Sequence, residues 1–418
     1  MRRRLATLFC VLWMGTSSVW AQQDPAQIGA RLLQDAAVKA ALDAIKSAEP
    51  QTLEEQIKLC EVEAPPFKEA KRAQVFAQMF RDIGLANVRI DKEGNVLGER
   101  RGNEVKPHLV FSAHLDTVFP EGTPVAVKRD GNILRGPGIG DDCRGLAVLL
   151  AVARTIVKGN LPTPGTITFV GTVGEEGLGD LRGVKYLFRE GMKGQIDRFV
   201  SIDGTGLGIT HIAVGSLRYR VTFKGPGGHS YGAFGMVNPI QALGRAMAKI
   251  ADFEVPREPK TTFNVGRIGG GTSVNAIPYE AWAEVDMRSA DPAALKFLDT
   301  KFRKAIDEAV VEENKRWGSK QLTADVALVG DRAAGRTAAD APVVLAAVSA
   351  TKALGLPVTL DEGSTDSNVA MNMGIPAITI DGGGRGTGAH ALDESFDPTN
   401  SWQGTQRALL IALALAQK

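Results

Sequence analysis

Apolar residues recur at helical spacing near the start of the chain and further along form short runs separated by helical patterns. The apolar positions of residues 24–49 follow one helical face and predict a single N-terminal helix. The elements predicted after it are helices over 52–61, 67–83, 143–158 and 183–190 and strands over 88–90, 108–114, 166–171 and 198–203. Strands that alternate with helices favour an α/β fold with a mixed, largely parallel sheet sandwiched by helices.

A different pattern begins after Ile212. The elements predicted there are strands over 213–224, 262–269, 279–288 and 321–328 and helices over 238–251 and 292–316. Their order, βαββαβ, is that of a ferredoxin-like α+β unit. The α/β pattern then resumes with helices over 341–354, 367–372 and 400–417 and a strand over 377–380. We therefore predict an α/β domain in two parts, 22–212 and 326–418, interrupted by an inserted domain over 213–325.

Composition and charge exclude several classes of protein. The chain has 418 residues, of which 44% are hydrophobic and 23% charged, so a disordered, collagen-like or disulfide-scaffold protein is excluded. The 49 basic residues nearly balance the 47 acidic ones. Nothing in this balance favours a nucleic-acid partner, and a small substrate is the better default.

Residues 1–21 have the pattern of an export signal. Three arginines, Arg2 to Arg4, precede an apolar run from Leu5 to Gly15, and small residues lead to Ala21, after which we expect cleavage. A membrane anchor is the weaker alternative because the apolar run is shorter than the roughly 20 residues of a span. We expect a periplasmic or secreted protein without membrane contact once the signal is removed.

Two of the three cysteines remain in the chain after that cleavage. Cys10 lies within the predicted signal, and Cys60 and Cys143 lie beyond it. Two cysteines in an exported protein are able to pair, but both lie in helical patterns. We expect two free, buried thiols.

The first candidate for chemistry is a histidine and a carboxylate two residues apart. His114 and Asp116 stand at the end of the apolar strand over 108–114, and side chains two apart in a strand point the same way. A carboxylate at this spacing either orients the imidazole or is itself a metal ligand. A histidine satisfied by a neighbouring acid at a strand end is the simpler structural alternative.

A glycine-rich turn delivers two more acids, Asp141 and Asp142, to the start of the helix over 143–158. Acids at a helix N-terminus also act as caps. A dinucleotide-binding loop is rejected because the third glycine is missing and two carboxylates would repel a pyrophosphate.

Further acids and a histidine also follow predicted strands. Glu175 and Glu176 follow the strand over 166–171, Asp203 closes the strand over 198–203, and His390 lies in a glycine-rich loop after the last strand. The ends of neighbouring strands in an open α/β sheet converge on one crevice. Two histidines and several carboxylates in one crevice predict a divalent metal site, most simply zinc.

These motifs, in this order, resemble the co-catalytic zinc peptidase family that includes peptidase T, glutamate carboxypeptidase, succinyl-diaminopimelate desuccinylase and aminoacylase. The resemblance covers nearly the whole chain after the signal. Its motifs are His114-x-Asp116, Gly-x-Gly-x-x-Asp141-Asp142, Glu175-Glu176, Asp203, Gly-Gly-His229-Ser, Asn275 and His390. The resemblance implies a zinc-exopeptidase-like fold in which the inserted domain is a lid and dimerisation domain.

The resemblance also implies a role for each matching residue. It implies two Zn2+ ions per subunit, with Co2+ or Mn2+ as alternatives, bridged by Asp141. The remaining ligands would be His114 and Asp203 for one metal and Glu176 and His390 for the other, while Asp116 orients His114. Glu175 would be the general base on a bridging water, which suits a carboxylate beside two cations.

The inserted domain would contribute substrate contacts. His229 and Asn275 match positions that in relatives reach the active site, often that of the partner subunit, and a histidine donor suits a developing oxyanion. Arg288, Arg332 and Arg336 are candidates for binding a substrate carboxylate bidentately. The purely structural alternative is that His229 caps a turn and the arginines are surface charges. A homodimer through the inserted domain is expected.

Two features separate this chain from some relatives. Cys143 and Arg144 follow the acid pair where lysine is common, which removes no ligand. Asp203 stands at a position that is aspartate in peptidase T and glutamate in glutamate carboxypeptidase and desuccinylase.

We therefore predict an exopeptidase of the di- and tripeptide type, with a carboxypeptidase or a deacylase of N-acyl amino acids as the alternative. A non-catalytic binding protein on the same fold is the alternative from another class.

Overall fold

The computed structural model describes residues 24–417, so the predicted export signal lies outside the described residues. The α-helices in this range are α1 (Ile28–Leu32), α2 (Ala36–Ser47), α3 (Glu49–Cys60), α4 (Ala70–Ile83), α5 (Cys143–Lys158), α6 (Arg182–Tyr186), α7 (Pro239–Ala251), α8 (Pro292–Arg316), α9 (Pro342–Ala353), α10 (Ser367–Asn372) and α11 (Trp402–Leu415). The strands are β1 (Ala86–Ile90), β2 (Val96–Arg100), β3 (His108–His114), β4 (Lys128–Asp130), β5 (Ile133–Arg135), β6 (Thr166–Thr172), β7 (Arg198–Ile202), β8 (Gly208–Ala213), β9 (Gly215–Lys224), β10 (Gly228–His229), β11 (Thr261–Gly270), β12 (Ala276–Ile277), β13 (Glu280–Ser289), β14 (Thr323–Arg332), β15 (Gly335–Arg336), β16 (Thr359–Gly363), β17 (Ala377–Ile380), β18 (Arg385–Thr387) and β19 (Ser395–Asp397).

The largest sheet is mixed, with a parallel centre. Its strand order is β1-β2-β6-β3-β7-β17-β8-β15, and β16 also pairs with β8. β3 runs parallel to β6 and β7, and β17 runs parallel to β7. The predicted α/β fold with a largely parallel sheet is therefore confirmed, and the carboxyl ends of four central strands lie at one edge.

Both faces of this sheet are buried, which explains the continuous apolar runs of its strands. Leu109 and Phe111 of β3 pack into the main core with the helices on one face, whereas Val110 packs into a smaller core on the other face. α5 packs an apolar face into the main core, and Asp142 caps its first turn by accepting from the N–H of Gly145 at 3.0 Å.

The insert forms a separate four-stranded antiparallel sheet in the order β11-β13-β9-β14. α7 and α8 cover one face, where alternate residues of β13 are buried: Ala281, Ala283, Val285 and Met287. This is the strand order of the predicted ferredoxin-like unit. β14 continues to Arg332, so the boundary expected at 325 falls inside a strand, and β9 begins at Gly215 rather than at 213.

The structure differs from the predicted elements in two places. The N-terminal helix is divided, because Asp35 ends the first segment and caps α2 by accepting from the N–H of Ala37 at 2.7 Å. An aspartate in that conformation competes with helix continuation. β8 (Gly208–Ala213) was not predicted, and the strand predicted over 213–224 corresponds to β9, which begins after Val214 and lies in a different sheet.

Cys60 and Cys143 are free and buried, as predicted. They lie in a small apolar cluster with Leu134, Ile139 and Phe396 beneath the glycine-rich turn. Among residues 24–417, no helix has both the length and the apolar character that crossing a bilayer requires.

Candidate metal centre

The ends of the parallel strands bring the candidate ligands together. His114 is the last residue of β3, the Glu175–Glu176 pair follows β6, and Asp203 follows β7 directly. These strands are neighbours in the central sheet. β17 lies beside β7, and His390 reaches the same edge from the loop between β18 and β19, further along the chain.

Asp141 lies at the centre of this cluster and offers one carboxylate oxygen to each histidine. Its Oδ1 is 3.0 Å from Nε2 of His114, and its Oδ2 is 3.1 Å from Nε2 of His390. The same nitrogen of His390 lies 3.0 Å from Oε1 of Glu176, and Nε2 of His114 lies 4.0 Å from Oδ1 of Asp203. Asp141 therefore divides the cluster into two groups that share it.

Each group offers three possible ligand atoms within 4.8 Å of one another: His114, Asp141 and Asp203 in one, and Asp141, Glu176 and His390 in the other. A third combination of the same kind is His114, Glu175 and Glu176. Imidazole nitrogen and carboxylate oxygen are the ligands that zinc takes in catalytic sites. The donor set therefore fits two divalent cations that share Asp141.

The hydrogen bonding of His114 supports this fit. Its Nδ1 lies 3.1 Å from the carbonyl oxygen of Asp116, an acceptor, so Nδ1 carries a proton. Nε2 then faces an Asp141 oxygen that also has only lone pairs to offer. A second proton or a metal cation must lie on the Nε2 side, and a neutral imidazole bound to metal satisfies both contacts.

Negative charge is in excess around the histidines. Burial raises the pKa of Asp203 to about 7, and the nearby charges of Asp141 and Glu176 add to this rise. Burial also raises the pKa of Asp366, which accepts from the Thr172 hydroxyl at 2.5 Å, to about 6. The pKa of His390 is raised to about 10 by its hydrogen bonds to Asp141 and Glu176. A buried surplus of carboxylates is what a bound cation compensates.

Asp116 acts differently from the sequence expectation. Its carboxylate was assigned to orient His114, but that oxygen is 3.7 Å from Nδ1 whereas the Asp116 carbonyl is closer. The carboxylate instead accepts the N–H groups of Glu175 at 3.0 Å and Glu176 at 2.8 Å. The physical reason is that a turn with two unpaired N–H groups faces the buried oxygens. Asp116 therefore fixes the turn that carries both glutamates.

Glu394 is a residue of the centre that the sequence interpretation missed. Its carboxylate accepts the backbone N–H groups of Gly138, Gly140 and Asp141 at 2.9, 2.8 and 3.0 Å. Burial, followed by the charge of Asp141, raises the pKa of Glu394 to about 7, although the three N–H groups favour its ionised form. Glu394 follows His390 by four residues, and this spacing from a candidate ligand is the signal that was available in the sequence.

Glu175 lies beside the ligands but is held by an arginine. Nη1 of Arg332 donates to Oε1 of Glu175 at 2.9 Å, and Nη2 contacts the Glu175 carbonyl. Both side chains are buried, and burial raises the pKa of Glu175 in spite of the arginine. Arg332 was expected as a carboxylate-binding residue for substrate, but its guanidinium is engaged here by the protein.

His229 and Asn275 lie together but apart from the ligands. β10 pairs with β12 so that His229 stands opposite Ala276, and the N–H of Ser230 donates to the Asn275 carbonyl at 2.9 Å. Nδ1 of His229 accepts the N–H groups of Tyr231 and Gly232, each at 3.2 Å, as in the turn-capping alternative. Both candidates are exposed on the inserted domain and neither lines the cavity at the ligands.

A cavity of about 300 Å³ joins the metal ligands to the inserted sheet. Glu176 and His390 form one wall, and the solvent-facing side of β9, β11 and β13 forms the other, with Arg288 among its residues. Arg336 lies on β15 and is not part of this lining. Of the three arginines predicted to bind substrate, Arg288 is the one that the structure places in the cavity.

This fold and this cluster define a metal-dependent hydrolase. The model of Peptidase family M20/M25/M40 matches residues 110–414, and the chain belongs to this family.

The chain is similar along most of its length to other proteins of known sequence or structure. It is 28% identical to the Bacillus subtilis (strain 168) protein described as Uncharacterized protein YqjE over 352 residues, which cover 79% of this chain and 90% of the relative. The structure of a tripeptidase from Staphylococcus aureus superposes with a TM-score of 0.71 at 22% identity and covers 88% of this chain and 99% of its own. The Bacillus subtilis YXEP protein, a dinuclear metal-binding peptidase, superposes with a TM-score of 0.62 at 18% identity and covers 88% and 99%.

Proposed function

We propose that this protein is a di-zinc exopeptidase that hydrolyses amide bonds in di- and tripeptides. The observation that carries the proposal is the position of Asp141, which presents one oxygen to the His114 group and the other to the His390 group. The similarity to a tripeptidase supports the choice of short peptides as substrates. The alternative, a non-catalytic binding protein, gives no reason for a buried glutamate beside two ligand groups.

The residues that would hold the metals are the two groups around Asp141. His114 and Asp203 would complete the site of one ion, and Glu176 and His390 that of the other. Bound Zn2+ supplies a water of lowered pKa and polarises the carbonyl of the scissile bond. Co2+ and Mn2+ take the same donor types and are alternative ions.

Glu175 is the proposed general base. Its carboxylate takes the proton of the attacking water and then passes it to the nitrogen of the leaving amine. Two features of the chain keep it in position: Asp116 accepts the N–H of Glu175, and Arg332 pairs with its carboxylate. Arg332 contacts Oε1 of Glu175, and Asp116 contacts its backbone N–H, so both contacts hold the base in place.

Arg288 is the proposed contact for the substrate's terminal carboxylate. It lines the cavity, and its side chain is 41% exposed. The Nε group donates to Asp286 at 2.7 Å, so the paired Nη groups are directed away from this bond and suit a carboxylate. The same contact would serve a carboxypeptidase or a deacylase of N-acyl amino acids, which differ in what lies on the other side of the amide.

The inserted domain is the proposed dimer interface. Apolar side chains stand exposed around His229 and Asn275: Tyr231, Phe234, Val274 and Tyr279. Such a group of exposed apolar residues around the two-stranded sheet of β10 and β12 is typical of an interface. In a dimer formed there, His229 and Asn275 would be placed to contact the substrate of the partner subunit. We further propose export to the periplasm or beyond, on the pattern of residues 1–21.

The catalytic assignment is tested with Glu175→Gln in the zinc-loaded protein that begins at Gln22. Glutamine keeps the size of the side chain beside buried Arg332 but is not a base, so we expect turnover of Ala-Ala-Ala to fall by at least about 100-fold. Zinc content measured by plasma mass spectrometry should stay that of the wild type, since a base is not a ligand. Glu121→Gln, a change at an exposed ion pair with Lys68, is the matched control.

Full activity in Glu175→Gln would overturn the role of this glutamate. Substrate type is then read from a panel of free and blocked di- and tripeptides and N-acetyl amino acids. A requirement for a free amino terminus makes the protein an aminopeptidase. A requirement for a free carboxylate alone, or a preference for acylated amino acids, favours the carboxypeptidase or deacylase alternative. The absence of hydrolysis across the panel would contradict the proposal.

A further inference from the structure

The cavity wall opposite the metal ligands carries two rows of charged residues. The solvent-facing side chains of β9, β11 and β13 form these rows, since residues of one face alternate along a strand. In the row nearer the ligands, Asp286 accepts from Arg218 at 3.1 Å and from Arg288 at 2.7 Å. In the next row, Glu284 accepts from Arg220 at 2.8 Å and from Arg267 at 3.0 Å.

Each row therefore has one positive charge in excess. A single carboxylate is shared by two guanidinium groups in both rows, and pairing of this kind leaves donors unused on each arginine. Burial lowers the pKa of Arg218, and the nearby charges of Arg332 and Arg288 lower it further, as expected where Arg218 and Arg288 share one carboxylate. The excess positive charge of this wall therefore favours an anionic ligand over a neutral one.

The outer row is held in place before any ligand arrives. The guanidinium of Arg220 lies 3.9 Å from the centre of the Trp282 ring, and that of Arg267 lies 5.5 Å from it. Contacts of this kind stabilise a cation over an indole and restrict its movement. Arg267 is still 65% exposed and lines the cavity together with Glu284, so its remaining donors are open to the cavity.

We infer that Arg267 binds a second carboxylate of the substrate, so that the enzyme selects peptides that end in glutamate or aspartate. The inference rests on the proposed function, in which Arg288 binds the terminal carboxylate. Asp286 and Glu284 are two residues apart on β13, so the rows are about 7 Å apart. A terminal residue with an acidic side chain presents two carboxylates, one for each row.

The test compares Ala-Glu with Ala-Gln, two substrates of nearly equal shape that differ in one charge. We expect kcat/KM of the zinc-loaded wild type to favour Ala-Glu by about ten-fold, an effect of one charge-assisted hydrogen bond. In Arg267→Gln the ratio of kcat/KM for Ala-Glu to that for Ala-Gln should fall to about three-fold or less. The loss should appear in KM rather than in kcat. Arg257→Gln, an exposed arginine of the same domain outside the cavity lining, should keep the wild-type ratio.

The outcomes separate this inference from the proposed function. Hydrolysis of both dipeptides at equal kcat/KM would overturn the inference and leave the exopeptidase proposal standing, as would an unchanged ratio in Arg267→Gln. If neither dipeptide is hydrolysed, the exopeptidase proposal fails. Calorimetric titration of zinc-loaded wild type and Arg267→Gln with each dipeptide then still decides the inference, because equal affinities would contradict it.

Discussion

Glu394 connects two loops that lie far apart in the chain. The loop that carries His390 ends at Glu394, and the loop that it binds carries Asp141. Three N–H groups of that turn have this one carboxylate as their acceptor, and the side chain is 2% exposed. The position of His390 relative to Asp141 therefore depends on a residue whose carboxylate contacts only backbone N–H groups of the turn.

We predict that Glu394→Gln weakens zinc binding. The amide places an NH2 group where one oxygen now accepts a backbone N–H, and an unpaired buried donor costs about 1–3 kcal/mol. Zinc affinity, measured by competition with a chromophoric chelator, should fall by about ten-fold or more. Asp393→Asn changes the exposed neighbour in the same loop and should leave affinity unaltered. Equal affinity in both variants would mean that the loop is fixed by other contacts.

Residues at strand ends were predictable, and residues that act through the backbone were not. His114, Asp203 and the Glu175–Glu176 pair each follow an apolar run in the sequence, which places them at the sheet edge without knowledge of the fold. Glu394 and Arg332 reach the centre across 253 and 157 residues of chain. No local pattern encodes such contacts, since they depend on which loops the sheet order brings together.

At the scale of elements, most long helices were predicted within two residues at each end, whereas α3 and α4 begin three residues from their predicted starts. The helices over 143–158 and 292–316 begin and end as predicted because capping aspartates, Asp142 and Asp291, precede them. Short strands such as β4, β15 and β18 were not predicted, since two or three residues carry no period. Their pairing is decided by neighbours distant in sequence.

The start of α11 packs backbone against backbone. A Cβ on Gly404 would lie 2.4 Å from the backbone of Gly382, in the loop that leads from β17 to His390. Nothing larger than glycine fits this approach between a helix and a loop. α11 therefore supports the loop directly, in addition to filling the core.

We predict that Gly404→Ala destabilises the fold and Gly244→Ala does not. Overpacking at Gly404 should cost about 1–3 kcal/mol, seen as a lower midpoint in urea unfolding. A Cβ on Gly244, in the exposed face of α7, meets nothing within 4 Å, so alanine should stabilise that helix by roughly 0.5–1 kcal/mol. A Gly404→Ala protein with wild-type stability would show that the loop moves at no cost.

At the scale of the whole molecule, the cavity lies between two units with separate cores. The ligands belong to the main core and the arginine rows to the inserted sheet. Helical and strand periods predicted both units but not how the two units pack together. Arg218 contacts the carbonyl of Gly177, and Lys185 donates to the carbonyl of Asp331, so these contacts join the inserted sheet to the main domain. The residues in these contacts are far apart in the chain, and no local sequence pattern predicts that they meet.

We predict that dimer formation requires the exposed apolar residues around β10 and β12 of the inserted domain. Val274 is fully exposed in the single chain, and Val274→Asp places a charge in the proposed interface. We expect sedimentation equilibrium to give a dimer for the wild type and a monomer for this variant, with peptidase activity lost in the monomer. Val311→Asp, the same substitution at an exposed position of α8, should remain dimeric. A wild-type monomer with full activity would contradict the dimer proposal.

The position of β17 has a consequence for biosynthesis. This strand pairs with β7 on one side and β8 on the other, yet it follows them in the chain by more than 160 residues. A growing polypeptide contains the entire inserted sheet, 215–332, before the strand at 377–380 has been made. Domains fold as units during translation, so the insert is expected to fold first on the ribosome. The central sheet closes last, and the hydrolytic centre, which also needs His390, is assembled only in a nearly finished chain.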